Sequence, residues 1–154
     1  MMRFPTVQTR DLEGAARTLP DGLPPGMRVI LLPFQRWHQL QVDGWVRALE
    51  PVRSAHPALS VWEVPALSQH YMVGRFFIDG GMRAGIPDLD ARLHTLTAYV
   101  DLPALAEALE LPTLDAVYVF LLDGNGEILW RGSGPVDEAG ITALADALAR
   151  AEAN

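Results

Sequence analysis

The chain has 154 residues, 49% of them hydrophobic, with 12 basic and 19 acidic side chains, a formal charge of −7 and no cysteine. That length and apolar content suffice for one domain with a sizeable core, and no stretch reaches the roughly 18 consecutive apolar residues of a bilayer span. The acidic balance argues against nucleic acid as a partner and against stable membrane insertion, and the missing cysteine excludes disulfides, thiolate nucleophiles and thiolate metal ligands.

Residues 1–9 contain no apolar signal core and no arginine- and serine-rich presequence, so the expected location is cytoplasmic. Residues 4–7 and the turn near 11–14 predict a short strand or arm lying on the core. A turn-rich lead-in follows at 20–26, Pro-Asp-Gly-Leu-Pro-Pro-Gly. The expected organisation is one domain over 1–154, with 1–26 as arm and lead-in. Residues 27–34 are almost continuously apolar and include Val29 and Ile30, the pattern of a strand buried on both faces. Over 39–53, Leu40, Trp45, Leu49 and Val52 recur at helical spacing, and His56-Pro57 ends that helix. Residues 59–67 read as one further buried strand.

The stretch 68–86 predicts a helix that gives way to a loop, because Gly80-Gly81 and Gly85 weaken helical continuity. Residues 93–100 form the next strand candidate. Asp101 is a good N-cap, with Pro103 in the first turn, for a short helix ending near Leu111. The apolar run 117–122 is a strand, and Asp123-Gly124-Asn125-Gly126 is a hairpin turn, since glycine and asparagine tolerate positive φ. A strand at 127–131 leads through Gly132-Ser133-Gly134 to a last helix opened by Asp137-Glu138. Trp130, by alternation with Ile128, belongs on the outer face or under that helix. The string β-α-β-α-β-α-β-β-α is an α/β sandwich with a mixed sheet.

The closing order of strand, hairpin, strand, glycine turn and helix resembles the second half of a thioredoxin-like domain. Residues 27–45 resemble the first strand and active-site helix of thioredoxins and peroxiredoxins. Residues 93–100 and the following helix resemble the unit that peroxiredoxins insert. Within that ancestry the chain resembles the mitochondrial ATP synthase assembly chaperones, the ATPase-subunit-ten family. The features are Phe4-Pro5, Gln41-Val42-Asp43-Gly44-Trp45, Gly81-Met82-Arg83 with Ile86-Pro87, and Tyr118 to Asp123. Gly126-Glu127-Ile128-Leu129-Trp130 and Gly132-Ser133-Gly134 complete the set. Two departures stand out: no presequence is visible, and Leu129 replaces the arginine expected before Trp130.

The resemblance places His38 and Gln41 at the two redox-cysteine positions and Val117 where a cis-proline normally faces them. A redox-dead domain is the implication. The four histidines, His38, His56, His70 and His94, show no i,i+3 or i,i+4 pairing, so no metal site is expected. Asp123-Gly124-Asn125-Gly126-Glu127 lacks the later ligands of a calcium loop, and Gly132-Ser133-Gly134 lacks a phosphate-loop lysine. No cofactor is expected. Arg83, among Gly80, Gly81 and Gly85, offers a guanidinium fork to a partner or an ion pair to Asp79 or Asp88. Trp37, on the loop before the helix, is an aromatic anchor or a core residue.

Two functions remain open on these residues. One is a binding or assembly module that holds a protein client, or an extended peptide segment, in a groove of Trp37, His38, Gln41, Arg83 and Val117. By resemblance, its client is a membrane-complex subunit such as one of ATP synthase. The other is a small-molecule binder or non-thiol enzyme with His38 and Arg83 in one pocket. Homodimer formation through a sheet edge or the same face is a further option.

Overall fold

The computed structural model describes residues 2–153. The strands are β1 (Val7–Asp11), β2 (Ala16–Leu19), β3 (Arg28–Leu32), β4 (Ser60–Glu63), β5 (Ala66–Ser68), β6 (Leu96–Val100), β7 (Tyr118–Leu122) and β8 (Ile128–Ser133). The helices are α1 (Gln39–Ala55), α2 (Arg75–Gly85), α3 (Leu89–Leu93), α4 (Leu102–Ala108) and α5 (Glu138–Glu152). Tight 3-10 turns at Arg36–His38 and Gln69–Gly74 lead into α1 and α2.

β3 lies between parallel β4 and antiparallel β7, and both its faces are covered, which explains its unbroken apolar run. Val29 and Leu31 face Val42, Trp45 and Leu49 of α1 and Leu144 and Leu148 of α5. Ile30 and Leu32 face a second core layer containing Phe4, Leu105, Leu109 and Phe120. Arg28 opens this strand although it is only 2% exposed. Its guanidinium donates to the carbonyls of Asp123 at 2.6 Å and Pro24 at 3.2 Å, tying the lead-in to the hairpin turn.

The predicted strand over 59–67 is bent at Pro65 into β4 and β5, which serve two four-stranded sheets, β4-β3-β7-β8 and β2-β1-β6-β5. Hydrogen bonds leave this segment on both sides. Val64 and Ala66 donate to Leu31 and Pro33 of the β3 side, while Glu63 donates to His94, and the Pro65 carbonyl accepts from Ala98, on the β6 side. The bend therefore joins the two sheets instead of ending one strand. Proline has no N–H to donate, which breaks the ladder at that point.

One further expectation, the loop after Gly80, is corrected, and two open alternatives are resolved: the N-terminal segment is an arm on the core, and Trp130 lies under the last helix. The N-terminal strand is Val7–Asp11, hairpin-paired with β2, and the Phe4–Pro5 arm instead docks through Phe4 N–H on the Gly126 carbonyl at 2.8 Å. Helix α2 runs through Gly80 and Gly81 to Gly85, so the glycines do not stop it. Asp79 on α2 accepts from the Tyr99 hydroxyl of β6 at 2.9 Å, a tertiary anchor that offsets a weak local preference. Trp130 lies against the α1–α5 layer while Ile128 packs on the opposite one. A bulge between Leu121 and Leu122 inserts Leu129 into the register and reverses the alternation.

The hairpin and caps form as their residues dictate. Asp123 Oδ1 accepts from Asn125 and Glu127, and Gly126 takes φ +83°. Asp101 and Asp137 cap α4 and α5 through Ala104 N–H and Gly140 N–H.

Candidate functional site

The turn from β3 into α1 carries the first cluster. His38 is fully buried, and its Nδ1 accepts from the backbone N–H groups of Phe34 at 3.0 Å and Gln35 at 3.2 Å. Those bonds assign the ring proton to Nε2, which is buried without a partner among the described residues. Three residues on, Gln41 has its Oε1 in the same condition. His38 and Gln41 thus supply a ring donor and an amide acceptor, neither of which can undergo thiol chemistry. His38 works as the local clasp of the turn.

Trp37 projects outward, 52% exposed, with its ring 4.2 Å from the His38 ring in an edge arrangement. Gln35 fixes it: Oε1 accepts from the indole N–H at 3.0 Å, and Nε2 donates to Asp115 at 2.9 Å and to the Leu114 carbonyl at 3.3 Å. This one amide connects the aromatic to the loop before β7. Gln35 was not legible as a site residue, because its partners lie 79 and 80 positions away. At the end of that loop Val117 is fully buried among the α1–α5 core, and its carbonyl accepts from Gly134 N–H at 2.9 Å. Val117 and His38 therefore support the surface from beneath, and Trp37 and Leu40 face solvent.

A second apolar group stands on the turn after β5, a strand whose first residue, Ala66, donates to the Pro33 carbonyl beyond β3. That second turn exposes Tyr71, Met72 and Val73, and α2 continues with exposed Phe76 and Phe77. The sequence did hold a signal for this patch. Adjacent residues on a helix point in different directions, so Phe76 and Phe77 cannot both reach one core.

Arg83 is elsewhere. It lies at the far end of α2, and its Nε and Nη2 reach the Glu13 carboxylate at 3.3 and 3.2 Å. Arg92 Nε binds the same carboxylate at 2.6 Å. The hydrogen bond from Arg92, ahead of the two positive charges, holds Glu13 below the usual carboxylate range. Glu13 follows Asp11, which pairs with Leu96 at the amino end of β6. Trp37 and His38 follow the carboxyl end of β3. Arg83 is thus held by Glu13 in the turn between β1 and β2, whereas His38 is buried in the turn before α1 and binds the Phe34 and Gln35 N–H groups. The ion pair expected for Arg83 with Asp79 or Asp88 is made with Glu13 instead, because the hairpin turn folds back over α2.

Of the remaining carboxyls, Glu63 is notable. Burial between α1 and α3 pushes it above its ordinary value, Asp43 adds to the rise, and the Gln39 amide opposes it. No group of three or more histidine, aspartate or glutamate side chains is placed to hold a metal among the described residues. No helix among the described residues is long and apolar enough to cross a membrane.

No family model matches the chain, and a search of curated proteins finds no match. Solved structures do resemble it. The pneumococcal exposed lipoprotein thioredoxin Etrx1 of Streptococcus pneumoniae strain TIGR4 is 12% identical with a TM-score of 0.59, over 92% of this chain and 98% of that one. A putative thiol:disulfide interchange protein DsbE from Chlorobium tepidum is 13% identical with a TM-score of 0.59, over 97% and 95%. BsSco, a member of the Sco family of cytochrome c oxidase assembly proteins, is 10% identical with a TM-score of 0.60, over 96% and 94%. The fold is thioredoxin-like, and at these identities the likeness extends to the fold alone. The neighbours named for thiol:disulfide interchange have a chemistry that this cysteine-free chain cannot perform with its own residues.

Proposed function

We propose that the chain is a redox-inactive thioredoxin-like module that binds an apolar segment of a client protein. Its surface comprises two exposed apolar groups, Trp37 and Leu40 at the start of α1 and Tyr71, Met72 and Val73 after β5, with Gln41 at the margin and His38 and Val117 as scaffold. The observation that carries this reading is the exposure of those side chains: Leu40 is 80% and Val73 is 96% exposed. Exposed apolar patches mark interaction sites. Aromatic side chains held rigid, as Gln35 holds Trp37, make good anchors because little conformational freedom is lost on binding.

The proposed client class rests on the resemblance of the motif set to ATP synthase assembly chaperones: a subunit of a membrane complex, ATP synthase first. The Sco neighbour, named for cytochrome c oxidase assembly, favours the same class of role without identifying a client.

The test is affinity capture with the tagged protein from detergent-solubilised native membranes, beside Trp37→Ala and Val73→Asp variants checked for folding by circular dichroism. Enrichment of ATP synthase or another respiratory subunit, reduced several-fold by either variant, is the expected result. Capture of the same proteins by all three forms, or no specific capture, overturns the reading.

A further inference from the structure

We propose a second site, which adjoins that client surface at Met72: the cleft between the N-terminal hairpin and α2 binds a small monocarboxylate with an apolar body, through the guanidinium groups of Arg10 and Arg75. Strand register builds it. Arg10 pairs with Ala16 on one side and Thr97 on the other, so the three side chains form a row across β2, β1 and β6. Helix α2 covers the row and brings Arg75 over it. The resulting space of about 210 Å³ is lined by both arginines, Ala16, Met72, Thr97 and Tyr99, among others. A second cleft of about 240 Å³ shares Arg10 and Arg75 and adds Leu12, Phe76 and Asp79.

The charges are unbalanced there. Among the described residues neither Arg10 nor Arg75 has a carboxylate within ion-pair distance. Arg10 gives one hydrogen bond to the Gly14 carbonyl, and Arg75 contacts the Met72 sulfur and stacks on the Phe76 ring. The acids that line the clefts are already engaged. Asp11 accepts two turn N–H groups, Glu13 holds Arg83 and Arg92, and Asp79 takes the Tyr99 hydroxyl. Two arginines thus line one cleft without an ion-pair partner among the described residues, on a chain whose net charge is −7.

Arginine forks match carboxylate oxygens geometrically. The engaged acids nearby, Asp79 foremost, keep the local potential low, so the arginines suit a monoanion and not a doubly charged phosphate. Met72, Leu12 and Phe76 suit an aliphatic or aromatic body. A free acid and the C-terminus of an apolar peptide present the same chemistry.

Titration of the full chain, followed through the arginine Nε–H resonances, tests the site. The probes are hexanoate, hexylammonium, inorganic phosphate, and an acetylated apolar pentapeptide as free acid and as amide. Saturable shifts of the Arg10 and Arg75 signals with hexanoate, or with the peptide acid but not its amide, are expected. The first pattern assigns a free acid and the second a chain end. Binding should weaken at least tenfold in Arg10→Gln/Arg75→Gln, with Arg75→Gln alone as the milder variant should the double one unfold. No saturable shift with either carboxylate, equal response to hexylammonium, tighter binding of phosphate, or unchanged affinity in Arg75→Gln overturns the proposal.

Discussion

The indole N–H of Trp45 donates to the carbonyl of Gly134 at 2.9 Å, joining α1 to the turn that launches α5. Trp45 is 2% exposed and lies beside Trp130, ring centres 6.2 Å apart. Gly134 takes φ +79°, so the turn itself requires glycine while the bond fixes its position against the helix. Trp45→Phe keeps most of the apolar volume and removes the donor. It should lower stability by about 1–3 kcal/mol, the cost of a buried carbonyl left unpaired plus a small void. A urea midpoint that falls with unchanged slope is the expected result, and an unchanged midpoint would mean water replaces the indole freely.

His38 makes a different claim on the same helix. His38→Ala deprives the Phe34 and Gln35 N–H groups of their common acceptor, at about 1–3 kcal/mol for each group left unsatisfied in the interior. His38→Asn, with a side-chain oxygen near the position of Nδ1, should recover much of the loss. Chemical denaturation of the three forms checks this. Equal destabilisation by Ala and Asn would remove the clasp from the explanation.

Gly26 offers a backbone test. Its φ is +105°, and a Cβ there would stand 2.8 Å from the Ala58 carbonyl oxygen. Gly26→Ala should therefore cost about 1–3 kcal/mol, since both strain and contact oppose it. Gly74→Ala, at a position with open space and ordinary φ, is the control and should leave the melting temperature nearly unchanged.

Glu63 sets a pH dependence. Its folded carboxyl holds a proton more tightly than the unfolded one, whose pKa is about 4.3. Its contribution to stability is therefore fully present below that value and is lost as pH rises through the raised folded value. Glu63→Gln should melt higher than the parent at pH 7.5, with the difference shrinking toward pH 4. Subtracting the two melting profiles removes the opposite trend of Glu13, whose depressed pKa favours folding at higher pH. Parallel profiles would show that Glu63 titrates as an ordinary carboxyl.

Much of the fold was legible because local signals and tertiary structure agree. The Asp101 and Asp137 caps, the Asp123–Gly126 hairpin and the doubly buried β3 each follow from a few adjacent residues. The misreadings share a cause in long-range pairing. Pro65 bends a strand because two sheets claim its neighbours, and α2 continues through Gly80 and Gly81 because Asp79 is anchored by Tyr99 of β6. In the candidate site, Trp37 and His38 were both found at the turn, but no local pattern distinguishes the buried ring from the exposed one.

By itself the sequence determines that no thiol chemistry is open to this chain, since that follows from composition and needs no geometry. It also determines the succession of most elements, because periodicity, caps and turns act within a few residues. Only the tertiary structure decides which polar groups find partners. Glu13 meets Arg83 across 70 positions and Gln35 meets Asp115 across 80, while Arg10 and Arg75 line one cleft without an ion-pair partner among the described residues. Charge and hydrogen-bond balance depend on distances of a few ångströms, and those are set by packing rather than by order along the chain.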